Sequence, residues 1–127
     1  MKSKEEILSS LEQFTGSDTF HKWSILYRRD VLTQGVKWLA DNAECYWLMD
    51  LIASHQFTPS VRKEEFQTWT LTKSKSSSGA LAVAEDGNNN RIASQRIKYT
   101  DFPLDTIKFF AVRNELGGIT IMLPNEY

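Results

Sequence analysis

The stretch "FQTWTLTK", residues 66–73, marks a change of periodicity along the chain. Its apolar and polar residues alternate, as they do in a strand whose two faces meet different surroundings. Four more segments of strand character follow, separated by short turn-rich connections: "ALAVAED" (80–86), "RIASQRIKYT" (91–100), "TIKFFAVRN" (106–114) and "GITIML" (118–123). This pattern predicts a meander of about five antiparallel strands.

The residues before this stretch indicate helices. Ser3 and Glu6 match a capping box, and an apolar stripe follows them before Thr15 and Gly16 end the helix. A second helix is predicted from about residue 33 to 42. A third is predicted from 44 to 55. Residues 17–30 have no clean period, and we expect an irregular connection there.

Helices followed by strands predict an α+β fold, with the N-terminal helices packed on one face of the sheet. The third helix should bury one apolar arc: Cys45, Leu48, Met49, Leu51 and Ile52. The sheet should offer these residues to the helices: Trp69, Leu71, Leu81, Val83, Ile97, Tyr99, Phe109, Ile119 and Ile121.

The size and charge of the chain set its class. Its 127 residues fit a single domain, 1–127, mainly helical over about 1–56 and mainly strand over about 66–123. The formal net charge of −1 gives no general attraction to nucleic acid or anionic membrane. With one cysteine, no apolar N-terminal leader and no long apolar run, a soluble cytoplasmic protein is predicted.

A polar strip on the third helix is the first candidate site. Asp50 and Ser54 are four residues apart and share one side of the helix, bordered by Tyr46 and Trp47. An acid beside two large aromatic side chains can act as a general acid or base if it is desolvated. These four residues could therefore line a small-ligand pocket, although a solvated polar strip is the more common arrangement.

Metal and thiol chemistry find little support in the sequence. Two histidines and one cysteine show no metal-ligand spacing, and no nucleotide-binding motif is present, so we predict no metal, no cofactor and no catalytic residues. Cys45 falls on the apolar side of its helix, away from Asp50. We expect it to be a small buried side chain and not a nucleophile.

Nucleic-acid binding through the sheet is a second alternative. Arg96, Lys98 and Lys108 could meet phosphates, and aromatic side chains from the same strands could stack on bases: Phe66, Tyr99 and Phe110. A sheet covered by helices would instead use these aromatic residues as core. We favour the core role, so nucleic acid is not the expected partner.

Several segments together resemble an uncharacterised family of small bacterial, plasmid and phage proteins, a domain of unknown function. They are "EEILSSLEQFTGSDTF" (5–20), "LTQGVKWLADNAECYWLMDLIASHQ" (32–56), "EDGNNNR" (85–91), "YTDFPLD" (99–105) and "MLPNEY" (122–127). The resemblance implies a cytoplasmic protein carried on mobile elements, and it supplies no activity and no site residues. We therefore expect a non-enzymatic accessory protein that binds another protein. The alternatives are a small-ligand binder or enzyme, and nucleic-acid binding through the sheet.

Overall fold

The computed structural model describes residues 1–127, which form an α+β fold. The helices are α1 (Lys4–Leu11), α2 (Gln34–Asn42), α3 (Tyr46–Ser54) and α4 (Pro59–Arg62). The strands are β1 (Phe20–His21), β2 (Val31–Thr33), β3 (Phe66–Lys73), β4 (Ala80–Glu85), β5 (Arg91–Ile97), β6 (Thr106–Arg113) and β7 (Ile119–Met122). The three predicted helices and the five predicted strands all occur, with α4, β1 and β2 in addition.

The seven strands form one mixed sheet in the order β1-β2-β7-β6-β3-β4-β5. β2 and β7 are parallel, and every other neighbouring pair is antiparallel. The predicted meander is wrong, because β6 pairs with β3 and not with β5. The connection from β5 to β6 passes β4 and β3 and buries Phe102 and Leu104, two apolar side chains that a short exposed turn would leave in water.

Two strands lie in the half of the chain that was predicted to be helical. All three residues of β2 are buried, and Val31 and Leu32 pair with Thr120 and Ile121 of β7. A strand buried on both faces shows no alternation, and three residues are too few to define a period. β1 is shorter still, and residues 22–30 are irregular as predicted.

The helices cover one face of the sheet, and α3 is oriented as predicted. Its apolar arc, from Cys45 to Ile52, is buried against the sheet. At the start of α1 the predicted capping box is confirmed, with the Glu6 amide donating to the Ser3 hydroxyl at 3.3 Å. Each helix is too short or too polar to cross a membrane.

The predicted inner face of the sheet is correct for β3, β6 and β7 and wrong for β4. Leu81 is 37% exposed, and its neighbours Ala80 and Ala82 point inward instead. Val83 is only half-buried, and Tyr99 lies beyond β5 in solvent. The inner alanines of β4 lie beside Leu71 and Trp69 of β3, whose large side chains fill the space. Small side chains therefore fit at these positions of β4, although hydrophobicity alone favoured burial of Leu81 and Val83.

The C-terminus is held to the start of α2 by a buried carboxylate. Glu126 lies in a 3-10 turn after β7 and accepts hydrogen bonds from the Thr33 hydroxyl at 2.6 Å and the Gly35 amide at 3.0 Å. A Cβ at Gly35 would lie 2.8 Å from this carboxylate, so the glycine permits the close approach. A carboxylate is favoured at a helix N-terminus, where backbone amides are unpaired.

Candidate functional site

The four residues predicted as a small-ligand site lie along α3 and do not converge on one cavity. Tyr46 and Trp47 are half-buried, whereas Asp50 is exposed. The Ser54 hydroxyl donates to the carbonyl of Leu51 in its own helix at 2.8 Å. The five main depressions of the surface are lined by other residues.

The polar groups of this strip are bonded to different neighbours. The Tyr46 hydroxyl donates to Asp41 at 2.5 Å, and burial together with this hydrogen bond raises the pKa of Tyr46 to about 12. Asp50 accepts a hydrogen bond of 2.9 Å from the indole nitrogen of Trp23. The Tyr46 phenol and the Asp50 carboxylate therefore anchor different segments of chain to α3. Whether any of the four binds a ligand stays a prediction.

Cys45 is fully buried at the start of α3, as predicted. Burial raises the pKa of its thiol to about 12. A thiol must ionise to act as a nucleophile or metal ligand, so we expect this one to be inert at neutral pH. No group of three His, Cys, Asp or Glu side chains converges in a way that could hold a metal ion.

The basic residues predicted to meet phosphates lie towards the uncovered face of the sheet. Arg96 on β5 and Lys108 on β6 are exposed. Each is paired with a residue of the adjacent strand whose side chain lies on the uncovered face, so both project from that face. Lys98, just after β5, borders the same depression as Arg96. The structure therefore places all three predicted residues on one side of the molecule.

A different place on the surface combines a depression, a cluster of charge and exposed apolar side chains. The depression has a volume of about 510 Å³ and lies between residues 25–30, the segment from 53 to 62, and the turn joining β6 to β7. We call it the arginine cleft after the four arginines that line it: Arg28, Arg29, Arg62 and Arg113. Asp30 is the one acidic residue in its lining.

The positive charge of the arginine cleft is not neutralised by ion pairs. The four ion pairs of the chain involve lysines or the N-terminus and lie elsewhere. Arg113 donates instead to the backbone carbonyl of Arg62, and Arg28 donates to that of Ile25 at 3.2 Å. Backbone carbonyls hold these groups without cancelling their charge, so the cleft attracts anionic groups.

Two glycines and an asparagine dock residues 27–30 onto the β6–β7 turn. Asn114 donates to the carbonyl of Arg29 at 2.9 Å, and its side-chain oxygen accepts from the amides of the turn. Gly117 has a φ of +88°, which suits glycine. A Cβ at Gly118 would collide with the Arg29 carbonyl and the Asp30 carboxylate, so the approach requires glycine.

Asp30 is buried at the edge of the cleft and bonds the turn from the other side. Its carboxylate accepts a hydrogen bond of 2.9 Å from the amide of Ile119. Burial raises the pKa of the Asp30 carboxyl, although this hydrogen bond and the charge of Arg113 oppose the effect. The carboxylate thus has a backbone partner, and its charge offsets only part of the charge of four arginines.

Apolar side chains extend into solvent beside the cleft. Ile25 is 82% exposed and Leu26 is 78% exposed, and the ring of Phe57 is also exposed. Below them, Tyr27 lies between the rings of Trp23 and Phe57, with centroid distances of 6.1 and 6.3 Å. The exposed side chains therefore lie beside a cluster of aromatic rings, and Trp23 in this cluster is fixed to α3 by its hydrogen bond to Asp50.

The sequence did not reveal the arginine cleft, because its residues come from three distant segments. Arg28 and Arg29 lie in the stretch without a period, Arg62 ends α4, and Arg113 ends β6. The one signal was the stretch 17–30 itself, which carries large apolar residues without a helical or strand pattern. Apolar residues that no periodic element buries can mark an exposed contact surface.

No curated protein and no solved structure matches this chain. A family model does match, under the description "Family of unknown function (DUF6876)", and the match covers residues 5–127. Because the match spans almost the whole sequence, the chain belongs to this family of unknown function.

Proposed function

We propose that this protein is a small non-enzymatic accessory protein that binds another protein through the arginine cleft. The partner contributes an acidic segment that also carries large apolar side chains. The observation that carries the proposal is the position of four arginines without ion pairs beside the exposed Ile25, Leu26 and Phe57. From the resemblance of the sequence, we propose that the protein belongs to a bacterium, plasmid or phage and acts in the cytoplasm.

The composition of this surface supports a protein partner. Arginine and aromatic residues are enriched where protein contacts contribute most to binding. Exposed apolar side chains that lie close together often mark a site of protein interaction. The charge defines the partner further, because arginines bind carboxylates through paired hydrogen bonds and positive surfaces steer acidic partners. An acidic segment with apolar residues would satisfy both parts of the surface.

The construction of the site supports binding more than catalysis. The segment with Ile25 and Leu26 is held at Trp23 by Asp50 and at its other end by Asn114 and Gly118. A contact surface that is already ordered loses little conformational freedom on binding. Arginine guanidinium groups do not lose their charge at physiological pH and are poor general bases, but they are well suited to holding anions.

A selection from a random peptide display library tests the proposal without knowledge of the partner. The wild-type protein is the bait, and the retained peptides are then measured against the double variant Arg28→Gln/Arg29→Gln. The matched control is Arg96→Gln/Lys98→Gln, which removes the same charge from the sheet. We expect enrichment of Asp and Glu together with Leu, Ile, Phe or Trp.

The affinities decide the outcome. The cleft variant should bind the selected peptides at least about tenfold more weakly than wild type, equivalent to about 1.4 kcal/mol, while the sheet variant stays near wild type. Enriched peptides without acidic residues would contradict the proposal. Equal binding to the wild type and the cleft variant would also contradict it, and so would a selection that enriches no peptide.

A further inference from the structure

The face of the sheet opposite the helices carries a second feature that the arginine cleft does not explain. On this face β3 presents Thr68, Thr70 and Thr72, in alternation with the buried Trp69 and Leu71. Cross-strand neighbours share a face. The register therefore adds these residues to the same face: Leu81, Val83, Ser94, Arg96, Thr106, Lys108 and Phe110.

Three aromatic rings form a patch on this face. The ring centroids of Phe66 and Phe110 are 4.9 Å apart, and Tyr127 lies 5.4 and 5.6 Å from them. The expectation that Phe66 and Phe110 belong to the core is wrong: both are half-buried and lie outside the core cluster. We call Phe66, Phe110 and Tyr127 the aromatic patch. Tyr99, beyond β5, is a further exposed ring.

Positive charge lies on the same face as this patch. Lys108 is two residues from Phe110 on β6, so both side chains project from the same face. Arg96 and Lys98 border a depression of about 470 Å³ together with Thr72 and Leu81. None of the three basic side chains forms an ion pair.

The one acidic residue that the register places on this face is balanced by a basic neighbour. Glu85 on β4 is cross-strand partner to Arg91 on β5. Arg96, Lys98 and Lys108 therefore set the sign of the charge that the rest of the face presents. The negative formal charge of the whole chain conceals this local excess of positive charge.

We propose that this face binds single-stranded nucleic acid. Arg96, Lys98 and Lys108 contact backbone phosphates, and unpaired bases stack on the aromatic patch. Partly exposed aromatic rings on a sheet face that also carries basic residues provide a surface for unstacked bases, which a duplex does not offer. The threonine hydroxyls of β3 add hydrogen bonds to phosphate or sugar oxygens.

The dimensions of the face suit a short length of single strand. Arg96 and Lys108 are separated by three strand spacings of about 4.8 Å and by two residues along the strand, roughly 16 Å in all. At no less than about 3.4 Å per nucleotide along one strand, this distance corresponds to at most about five nucleotides. A site of that length is at the lower end of those found in sheet-based single-strand binding proteins.

Fluorescence anisotropy with labelled oligonucleotides tests this inference. The probes are a deoxythymidine oligomer and a uridine oligomer of about 16 nucleotides, and the salt concentration runs from about 50 to about 200 mM. With three phosphate contacts, the logarithm of the binding constant should fall against the logarithm of salt with a slope of roughly −2. A duplex of the same length should bind at least about tenfold more weakly.

Variants separate charge from stacking and this face from the arginine cleft. Arg96→Gln/Lys98→Gln should reduce the salt slope to roughly −0.7, because one phosphate contact remains. Phe110→Leu should weaken binding at least about fivefold without changing the slope. Arg96→Lys keeps the charge and should stay close to wild type. Arg28→Gln/Arg29→Gln, in the cleft, should bind like wild type.

The inference is overturned by any of four results. These are no binding of either oligomer at about 50 mM salt, equal binding of the duplex, an equal loss in the cleft variant, and displacement by polyglutamate as effective as that by the oligonucleotide. The last would show a general preference for acidic polymers. A thermal melt of each variant near that of wild type ensures that a loss of binding reports the site and not the fold.

Discussion

The indole nitrogen of Trp23 donates a hydrogen bond of 2.9 Å to the carboxylate of Asp50, and this bond joins the irregular segment to α3. Asp50 is itself exposed, whereas Leu48, two residues earlier on the same helix, is buried against the sheet. The two side chains therefore serve different purposes. Leu48 holds the helix to the core, and Asp50 holds the segment that carries Ile25 and Leu26 at the surface.

This difference should appear in the free energy of unfolding. Leu48→Ala removes a buried side chain and leaves a cavity, so we expect a loss of roughly 2 to 5 kcal/mol. Asp50→Asn retains an oxygen that can accept the hydrogen bond from Trp23, so the loss should be less than about 1 kcal/mol. Thermal or urea unfolding of both variants measures the two losses. Comparable losses, or a larger loss for Asp50→Asn, would contradict these roles.

Glu126 should contribute to stability far more than its place next to the C-terminus suggests. Its carboxylate accepts hydrogen bonds from the Thr33 hydroxyl and the amides of Gly35 and Leu123. Glu126→Ala leaves the buried amides of Gly35 and Leu123 without a protein partner, and we expect a loss of roughly 2 to 3 kcal/mol in urea unfolding. The exposed Glu115 provides the control, with a loss of less than about 0.5 kcal/mol as alanine. Equal losses would show that the C-terminal turn contributes little.

The pH dependence of stability should report the burial of Asp30. Burial raises the pKa of its carboxyl in the folded chain, so ionisation favours the unfolded chain. Well below the ordinary aspartate pKa of about 3.9, the group is protonated in both states and makes no difference. As the pH rises from this value through the pKa of the folded chain, the free energy of unfolding decreases. Above the folded pKa the whole decrease has been reached.

Asp30→Asn removes this titration and can still accept the hydrogen bond from Ile119. The variant should therefore be more stable than wild type at pH 7, and the gain should disappear as the pH falls below about 3.9. Urea unfolding at several pH values measures the difference, with the exposed Asp101→Asn as the control. If wild type is the more stable at pH 7, attraction to Arg113 outweighs the effect of burial.

The thiol of Cys45 should be inert in the folded protein. Its pKa of about 12 leaves almost no thiolate at neutral pH, and the side chain is not accessible to reagents. We expect an aromatic disulfide reagent to modify Cys45 only at the rate of unfolding, and to react within seconds in urea. Rapid modification of the native protein would show that α3 opens, and would contradict the prediction that the thiol is inert.

Particular residues show how far the sequence could predict this fold. Strong alternation in β3 and a clear apolar arc on α3 were sufficient to place both elements and their buried sides. The inner face of β4 was assigned wrongly because alanine is weakly hydrophobic, and only the neighbouring Trp69 and Leu71 make small residues the better fit there. The order of the strands depends on where Phe102 and Leu104 are buried, which is a tertiary property.

The candidate sites were less predictable than the fold, for a related reason. Arg96, Lys98 and Lys108 could be grouped because nearby strands carry them. The arginine cleft could not, because Arg29, Arg62 and Arg113 meet only through the docking of residues 27–30 on the Gly117–Gly118 turn. A local pattern carries no information about a contact that forms between three distant segments.

Heteronuclear NMR of the isotope-labelled protein, titrated with an acidic peptide from the selection, is the sharpest test of binding at the arginine cleft. The backbone amides of residues 25–30, of Phe57 and of the turn at 114–118 should shift together and saturate with one affinity, and the amides of β3 to β5 should not move. Shifts confined to the uncovered sheet face or to the exposed side of α3 would contradict the proposed function.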